Sequence, residues 1–76
     1  MEMTKFIENF ADQFDEIDVE TLNPGTVFHD LDEYSSIVAL SIIAMIDEEY
    51  DVAIGADEMR ASVTIEDLYN IVLSKK

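Results

Sequence analysis

Two adjacent hydroxyl side chains, Ser35 and Ser36, are the best-placed residues of this sequence for covalent chemistry. They follow an aromatic residue, Tyr34, and precede an apolar segment with helical spacing. A hydroxyl at a helix start can accept hydrogen bonds from the free amides of the first turn, so N-capping is one interpretation of the pair. A phosphate attached there would face the positive end of the helix dipole, which favours anions. Both interpretations stay open on these residues alone.

Metal and nucleophilic chemistry find little support elsewhere in the chain. A calcium loop beginning at Asp30 would need glycine at its sixth position and glutamate at its twelfth, where Ser35 and Ser41 stand. The chain has one histidine, His29, and no cysteine, so it cannot build a multi-histidine metal site by itself. We expect His29 to be a loop residue with local hydrogen bonds. The sequence therefore predicts no metal site and no enzymatic activity.

The composition points to basic proteins as partners. The chain of 76 residues has 18 acidic and 4 basic side chains, a formal net charge of −14, and no basic residue between Lys5 and Arg60. Binding to nucleic acid and to anionic membranes depends on Lys and Arg, so neither is an expected partner. The hydrophobic share of 49% argues against disorder.

The length and the amino-terminal sequence lead to further expectations. A chain this short predicts a single domain, residues 1–76. No secretory signal and no apolar run of membrane-spanning length are present in this sequence, so we expect a cytoplasmic protein without membrane insertion. We also expect a monomer.

Four helices, one of them short, are predicted to position the serines. Thr4 is the expected N-cap of a first helix over about 4–15, whose apolar stripe includes three phenylalanines. A loop over 16–34 with turn punctuation at 23–25 follows. Residues 36–50 are rich in β-branched side chains, but their length and spacing favour a helix. A short helix over 56–61 and a last helix capped by Thr64 complete an all-α bundle.

Four segments carry a resemblance to a known family. They are Phe-His-Asp-Leu at 28–31, Glu-Tyr-Ser-Ser-Ile at 33–37, the segment 40–51 ending in Asp-Glu-Glu-Tyr-Asp, and Thr-Ile-Glu-Asp-Leu at 64–68. Together they resemble the acyl carrier proteins over essentially the whole chain. The resemblance implies the acyl-carrier type of four-helix bundle, with one short helix and a long first loop.

The resemblance also implies a cofactor and a cargo. Ser36 aligns with the serine that bears the covalent 4′-phosphopantetheine arm, and Ser35 is the less favoured attachment site. The arm supplies the thiol for a thioester, so the chain needs no cysteine of its own. The family holds acyl chains between its helices, and the candidate lining residues here are Leu40, Ile43, Met45, Ile46, Tyr50, Met59 and Ile65. The implied role is acyl transport for fatty-acid, polyketide or related lipid biosynthesis.

Two departures from the family pattern bear on the partners. Ser35 stands where the family has an aspartate before the modified serine, and Val38 and Ser41 stand where acidic residues are usual. The implied partners are a phosphopantetheinyl transferase and acyl-loading and condensing enzymes with basic patches. We expect a partner face that is apolar near the serine and flanked by negative charge, formed by Asp32, Glu33, Ile37, Val38, Asp47 and Glu48.

Two alternatives remain. The missing aspartate favours a carrier-like helical interaction module that is never modified. An aminoacyl or peptidyl carrier would share the fold and the arm, but such carriers are usually less acidic than this chain.

Overall fold

The computed structural model describes residues 2–76 and shows four α-helices. They are α1 (Met3–Ala11), α2 (Ser36–Tyr50), α3 (Ala56–Ala61) and α4 (Ile65–Lys75), with 3₁₀ turns at Val19–Thr21 and Phe28–Asp30 in the first loop. Within the described residues the only β-type pairing is a single antiparallel bridge between Val27 and Thr64. The predicted all-α, four-helix architecture is confirmed. No helix among these residues has both the length and the apolar character needed to cross a membrane.

Aromatic side chains connect the helices through the core. Phe6 of α1 lies with its ring centroid 5.4 Å from that of Tyr69 in α4 and 5.7 Å from that of Tyr50 in α2. Phe10 meets Phe28 of the loop edge-on at 5.4 Å. Such pairs add to the burial of apolar area. The side chains buried most completely are Phe6, Phe10, Phe28, Ile42, Ile46, Ile65, Leu68 and Val72.

The first helix differs from its predicted bounds at both ends. It begins at Met3 with Glu2 at the N-cap and no side-chain cap, so the prediction that Thr4 caps it was wrong. It ends at Ala11 rather than near residue 15 because the chain tightens into 3₁₀-type bonds. The amide of Phe14 donates to the Ala11 carbonyl over 3.0 Å. Phe14 stays buried, which explains why the apolar stripe appeared to continue.

The long loop is attached to the start of α4. The amide of Ile65 donates to the Thr26 carbonyl over 3.1 Å, and the amide of Glu66 donates to the Pro24 carbonyl over 2.9 Å. In the turn at 23–25, the amide of Gly25 donates to Asn23 Oδ1 over 2.8 Å. The loop therefore satisfies amides that every helix start leaves without an intrahelical partner.

The remaining helix boundaries agree with the sequence predictions. Ser35 caps α2, whose carboxyl end is Asp51 in the left-handed conformation at φ 56°. Gly55 precedes α3, and its amide donates to Glu58 Oε1 over 3.0 Å. Thr64 caps α4 as predicted: Thr64 Oγ1 accepts from the amide of Asp67 over 3.1 Å. These caps are local signals of the kind that sequence patterns reveal.

Candidate functional site

The start of α2 presents one engaged and one unengaged hydroxyl. Ser35 is the N-cap, and its Oγ accepts from the amide of Val38 over 3.3 Å. Ser36 is the first helical residue, is exposed, and its hydroxyl makes no hydrogen bond to any residue between 2 and 76. The backbone amides of Ser36 and Ile37 likewise have no hydrogen-bond acceptor among residues 2–76. The first turn of α2 also contains no acidic residue, so no charge of that turn compensates the positive end of the helix dipole.

A mostly apolar pocket opens beside Ser36. It has a volume of about 360 Å³ and lies between α2 and α3. Leu40 and Ile43 of α2 form one wall, and Met59 of α3 forms part of the other. The pocket is completed by His29, Tyr34, Ala39, Ala56 and Arg60, with Ser36 at its edge. The arrangement places a free hydroxyl next to an apolar groove.

His29 fastens α3 to the first loop. Its Nε2 donates to the carbonyls of Ser62 and Met59 over 2.8 and 3.1 Å. Both partners are acceptors only, so Nε2 carries the proton. The imidazole also stacks on Phe28 and meets the Tyr34 ring edge-on, at centroid distances of 4.3 and 5.0 Å. The expectation of local hydrogen bonds for His29 was wrong, because its acceptors lie 30 and 33 residues away in sequence.

The seven residues expected to line an acyl chain occupy four environments. Leu40, Ile43 and Met59 line the pocket beside Ser36. Ile46 and Ile65 are fully buried in the core, and Met45 borders a separate groove between α1 and α2. Tyr50 lies at the far end of α2, where its hydroxyl accepts from Asn9 Nδ2 over 2.9 Å.

The residues expected to bind partners lie along and around α2. Ile37 is 76% exposed, and Val38 is half-buried. Leu40, one turn after Ile37, is 66% exposed and extends this apolar surface. The four expected acidic contacts are all exposed: Asp32 and Glu33 precede the helix, and Asp47 and Glu48 lie in its last turns. About 16 Å of helix axis separates Ser36 from Asp47 at 1.5 Å per residue, and no charged residue lies on that segment until Asp47.

Hydrogen bonds and burial shift the pKa values of a few groups around the site. Burial raises the pKa of the Tyr34 hydroxyl above its usual value. On α3, the bond from the Gly55 amide lowers the pKa of the Glu58 carboxyl, and Lys75 of α4 lowers it further. Lys75 Nζ lies 3.0 Å from Glu58 Oε2, so this contact joins α3 to α4. No cluster of His, Asp and Glu suited to a metal ion occurs among residues 2–76.

Sequence reasoning missed five residues of the pocket. Tyr34, Ala39, Ala56 and Arg60 line it, and His29 both lines it and holds α3 in place beside it. Arg60 had one visible signal, since it is the only basic residue between Lys5 and Lys75. The others had none, because their placement depends on how α3 packs against α2.

Comparison with known proteins gives one match. A family model for the phosphopantetheine attachment site matches residues 4–72. Searches among curated proteins and among solved structures produced no significant match. The matched span includes Ser36 and both walls of the pocket beside it.

Proposed function

Because the chain belongs to the phosphopantetheine attachment family, we propose that it is an acyl carrier protein with its 4′-phosphopantetheine arm on Ser36. Domains of this family carry that group covalently and are not themselves catalytic. In our proposal residues 1–76 form one carrier domain, and the chain itself performs no catalysis. The observation that carries the choice of serine is the start of α2, where the Ser36 hydroxyl is exposed and free while Ser35 is engaged as the cap.

The surroundings of Ser36 fit the proposed group. The unpaired amides of Ser36 and Ile37 and the positive end of the α2 dipole, whose first turn contains no acidic residue, favour an anion. A phosphodiester on Ser36 supplies that anion without burying a charge, because the site is exposed to water. The pocket wall formed by Leu40, Ile43 and Met59 suits an apolar chain that leaves water. The arm, when attached, supplies the reactive thiol, and the chain supplies the anchor and the apolar groove.

The proposed cargo is an acyl group of lipid metabolism, in fatty-acid, polyketide or related synthesis. Three observations support it over an aminoacyl or peptidyl cargo: the apolar pocket, the absence of charge on α2 between Ser36 and Ile46, and the net charge of −14. We propose that the protein acts as a cytoplasmic monomer.

The proposed partners are a phosphopantetheinyl transferase and acyl-loading and condensing enzymes. Their complementary surface has an apolar depression for Ile37 and Val38 and basic patches for Asp32, Glu33, Asp47 and Glu48. Long-range attraction between such charges raises the association rate without a large interface. A carrier that must meet and leave several enzymes benefits from that combination.

Co-expression with phosphopantetheinyl transferases followed by intact-mass measurement tests the attachment. We expect the wild type and Ser35→Ala to gain the mass of the arm and Ser36→Ala to gain none. Loss of the arm on Ser35→Ala alone would move the attachment site to Ser35. Circular dichroism of each variant controls for folding.

Ser35 in place of the family's aspartate favours a second candidate, an unmodified helical interaction module. That candidate predicts no added mass with any of several transferases. Restoring the carboxylate with Ser35→Asp separates two reasons for such a result. An arm that appears only on Ser35→Asp would show that the substitution blocks recognition by those transferases, whereas an arm on neither protein would favour the unmodified module.

A further inference from the structure

Arg60 is a cation that lines the same pocket as the proposed attachment point, Ser36. Its side chain and Ser36 both line the pocket between α2 and α3. In the sequence it is the only basic residue between Lys5 and Lys75, a stretch that contains most of the acidic residues. A single basic side chain, that of Arg60, therefore lines a pocket that Ser36 borders.

The present partner of Arg60 holds it only weakly. Arg60 forms an ion pair with Asp57, three residues earlier on α3, and the two side chains are 72% and 93% exposed. Pairs this exposed contribute little to stability, because water and salt screen them. Another anion that reaches the pocket competes for the guanidinium, which binds phosphate oxygens in a planar, two-pronged geometry.

We infer that Arg60 is a positioning residue that binds the phosphodiester of the arm on Ser36 and turns the arm into the pocket. This inference rests on the proposed attachment at Ser36. The pair places the segment of the arm after the phosphate along Leu40 and Met59 rather than over the exposed face at Ile37. It also compensates the added negative charge in a chain whose net charge is already −14.

Nuclear magnetic resonance of the arm-bearing protein tests this inference. We expect attachment of the arm to shift the Arg60 Nε–Hε resonance, and we expect contacts between the arm methyl groups next to the phosphate and the methyl group of Met59. In Arg60→Gln these contacts should weaken about two- to fivefold, the range that an exposed ion pair allows. Arg60→Lys should restore part of the loss, because lysine keeps the positive charge but lacks the planar guanidinium that binds two oxygens at once.

Two matched variants separate this role from general charge and folding effects. Lys5→Gln removes one positive charge from α1, away from the pocket, and should leave the arm contacts unchanged. Asp57→Asn removes the competing carboxylate and should strengthen them. Raising NaCl from low to high concentration should weaken the contacts in the wild type and have little effect in Arg60→Gln.

The outcomes distinguish this inference from the proposal on which it rests. If no arm is attached to Ser36, the proposed function fails and the role of Arg60 fails with it. If the arm is present but the contacts in Arg60→Gln and Lys5→Gln equal those of the wild type, only the role of Arg60 is overturned.

Discussion

The starts of α2 and α4 use the same capping chemistry and reach opposite states. Both helices follow a hydroxyl residue, Ser35 or Thr64, that accepts from an amide of the first turn. At α4 the next amides are occupied too, since Ile65 and Glu66 donate to loop carbonyls. At α2 the corresponding amides have no acceptor within residues 2–76.

The two starts also differ in charge and burial. The first turn of α4 contains Glu66 and Asp67, and Asp67 Oδ2 accepts from the amides of Thr64 and Val63 over 3.1 Å each. The first turn of α2 contains no acidic residue and leaves Ile37 exposed. The start of α4 is therefore completed by hydrogen bonds and charges from the chain itself, whereas the start of α2 keeps free amides. Two helix starts with the same type of cap can thus differ according to what surrounds the cap.

Truncating the isoleucine in the first turn of each helix should give the largest difference in stability between variants of the two helix starts. Ile65 is fully buried, so Ile65→Ala should lower the free energy of unfolding by about 2–5 kcal/mol, and Ile65→Val by about 0.5–1.5 kcal/mol. Ile37→Ala should change it by no more than about 0.5 kcal/mol, because Ile37 is exposed. Urea unfolding measures all three. Equal losses at both positions would contradict the contrast in burial.

Removing the N-cap side chain of each helix should give a smaller difference in stability, again with the greater loss at α4. Thr64→Ala should cost more than Ser35→Ala, both within the usual range of about 0.5–2 kcal/mol for a lost N-cap. The reason is that Thr64 belongs to a reciprocal pair with Asp67, whereas Ser35 makes one bond of 3.3 Å. Thermal unfolding followed by circular dichroism compares the variants. A larger loss for Ser35→Ala would show that the α2 start is the more ordered of the two.

The predictable parts of the molecule are those decided by local signals. The starts of α2, α3 and α4 follow from Ser35, Gly55 and Thr64, which stand next to residues with helical spacing. The end of α1 was missed because Phe14 remains buried although the helix ends at Ala11. Its burial continues the apolar pattern beyond the last helical hydrogen bonds. The spacing of apolar residues on α2 likewise does not distinguish a residue that lines the groove, such as Ile43, from a residue of the core.

The site shows the same division between local and tertiary information. Ser36 could be proposed from the sequence because a hydroxyl at a helix start is visible there. The far wall of its pocket was not, because α3 is held there by the bonds from His29 to carbonyls some thirty residues later. Nothing near His29 in sequence indicates those acceptors. Arg60 became meaningful only when this packing placed it at the pocket of Ser36.

Acid should weaken the α4 start through Asp67. The amide bonds from Thr64 and Val63 lower the pKa of Asp67 below its unfolded value of about 3.9. A lowered pKa contributes stability that is present above the unfolded value and is lost as pH falls through the folded value. Wild type should therefore be more stable than Asp67→Asn at pH 6, and the difference should shrink below about pH 4. Urea unfolding from pH 6 to 3 measures this.

The control for that prediction lies in the same turn. Glu66→Gln removes a carboxylate that accepts no hydrogen bond from any residue between 2 and 76. It reports the general effect of losing one negative charge from this strongly acidic chain. If both variants follow the same pH profile, the bonds to Asp67 have no specific effect on stability.

Placing a carboxylate at the start of α2 should have the smallest effect on stability. It is the most direct test of the contrast between the starts of α2 and α4. Ser36→Asp places a carboxylate in a first turn where the amides of Ser36 and Ile37 are free, so it should stabilise the protein by about 0.3–1 kcal/mol at low salt. High salt should remove the gain, because the site is exposed. Ser36→Asn is the neutral control. Adding charge to a chain at −14 opposes this gain through general repulsion. Greater stability of Ser36→Asp than of Ser36→Asn at low salt would therefore mean that the local field at the α2 start outweighs the charge of the whole chain. The reverse order would mean that the open amides do not attract an anion strongly enough to help hold a phosphate there.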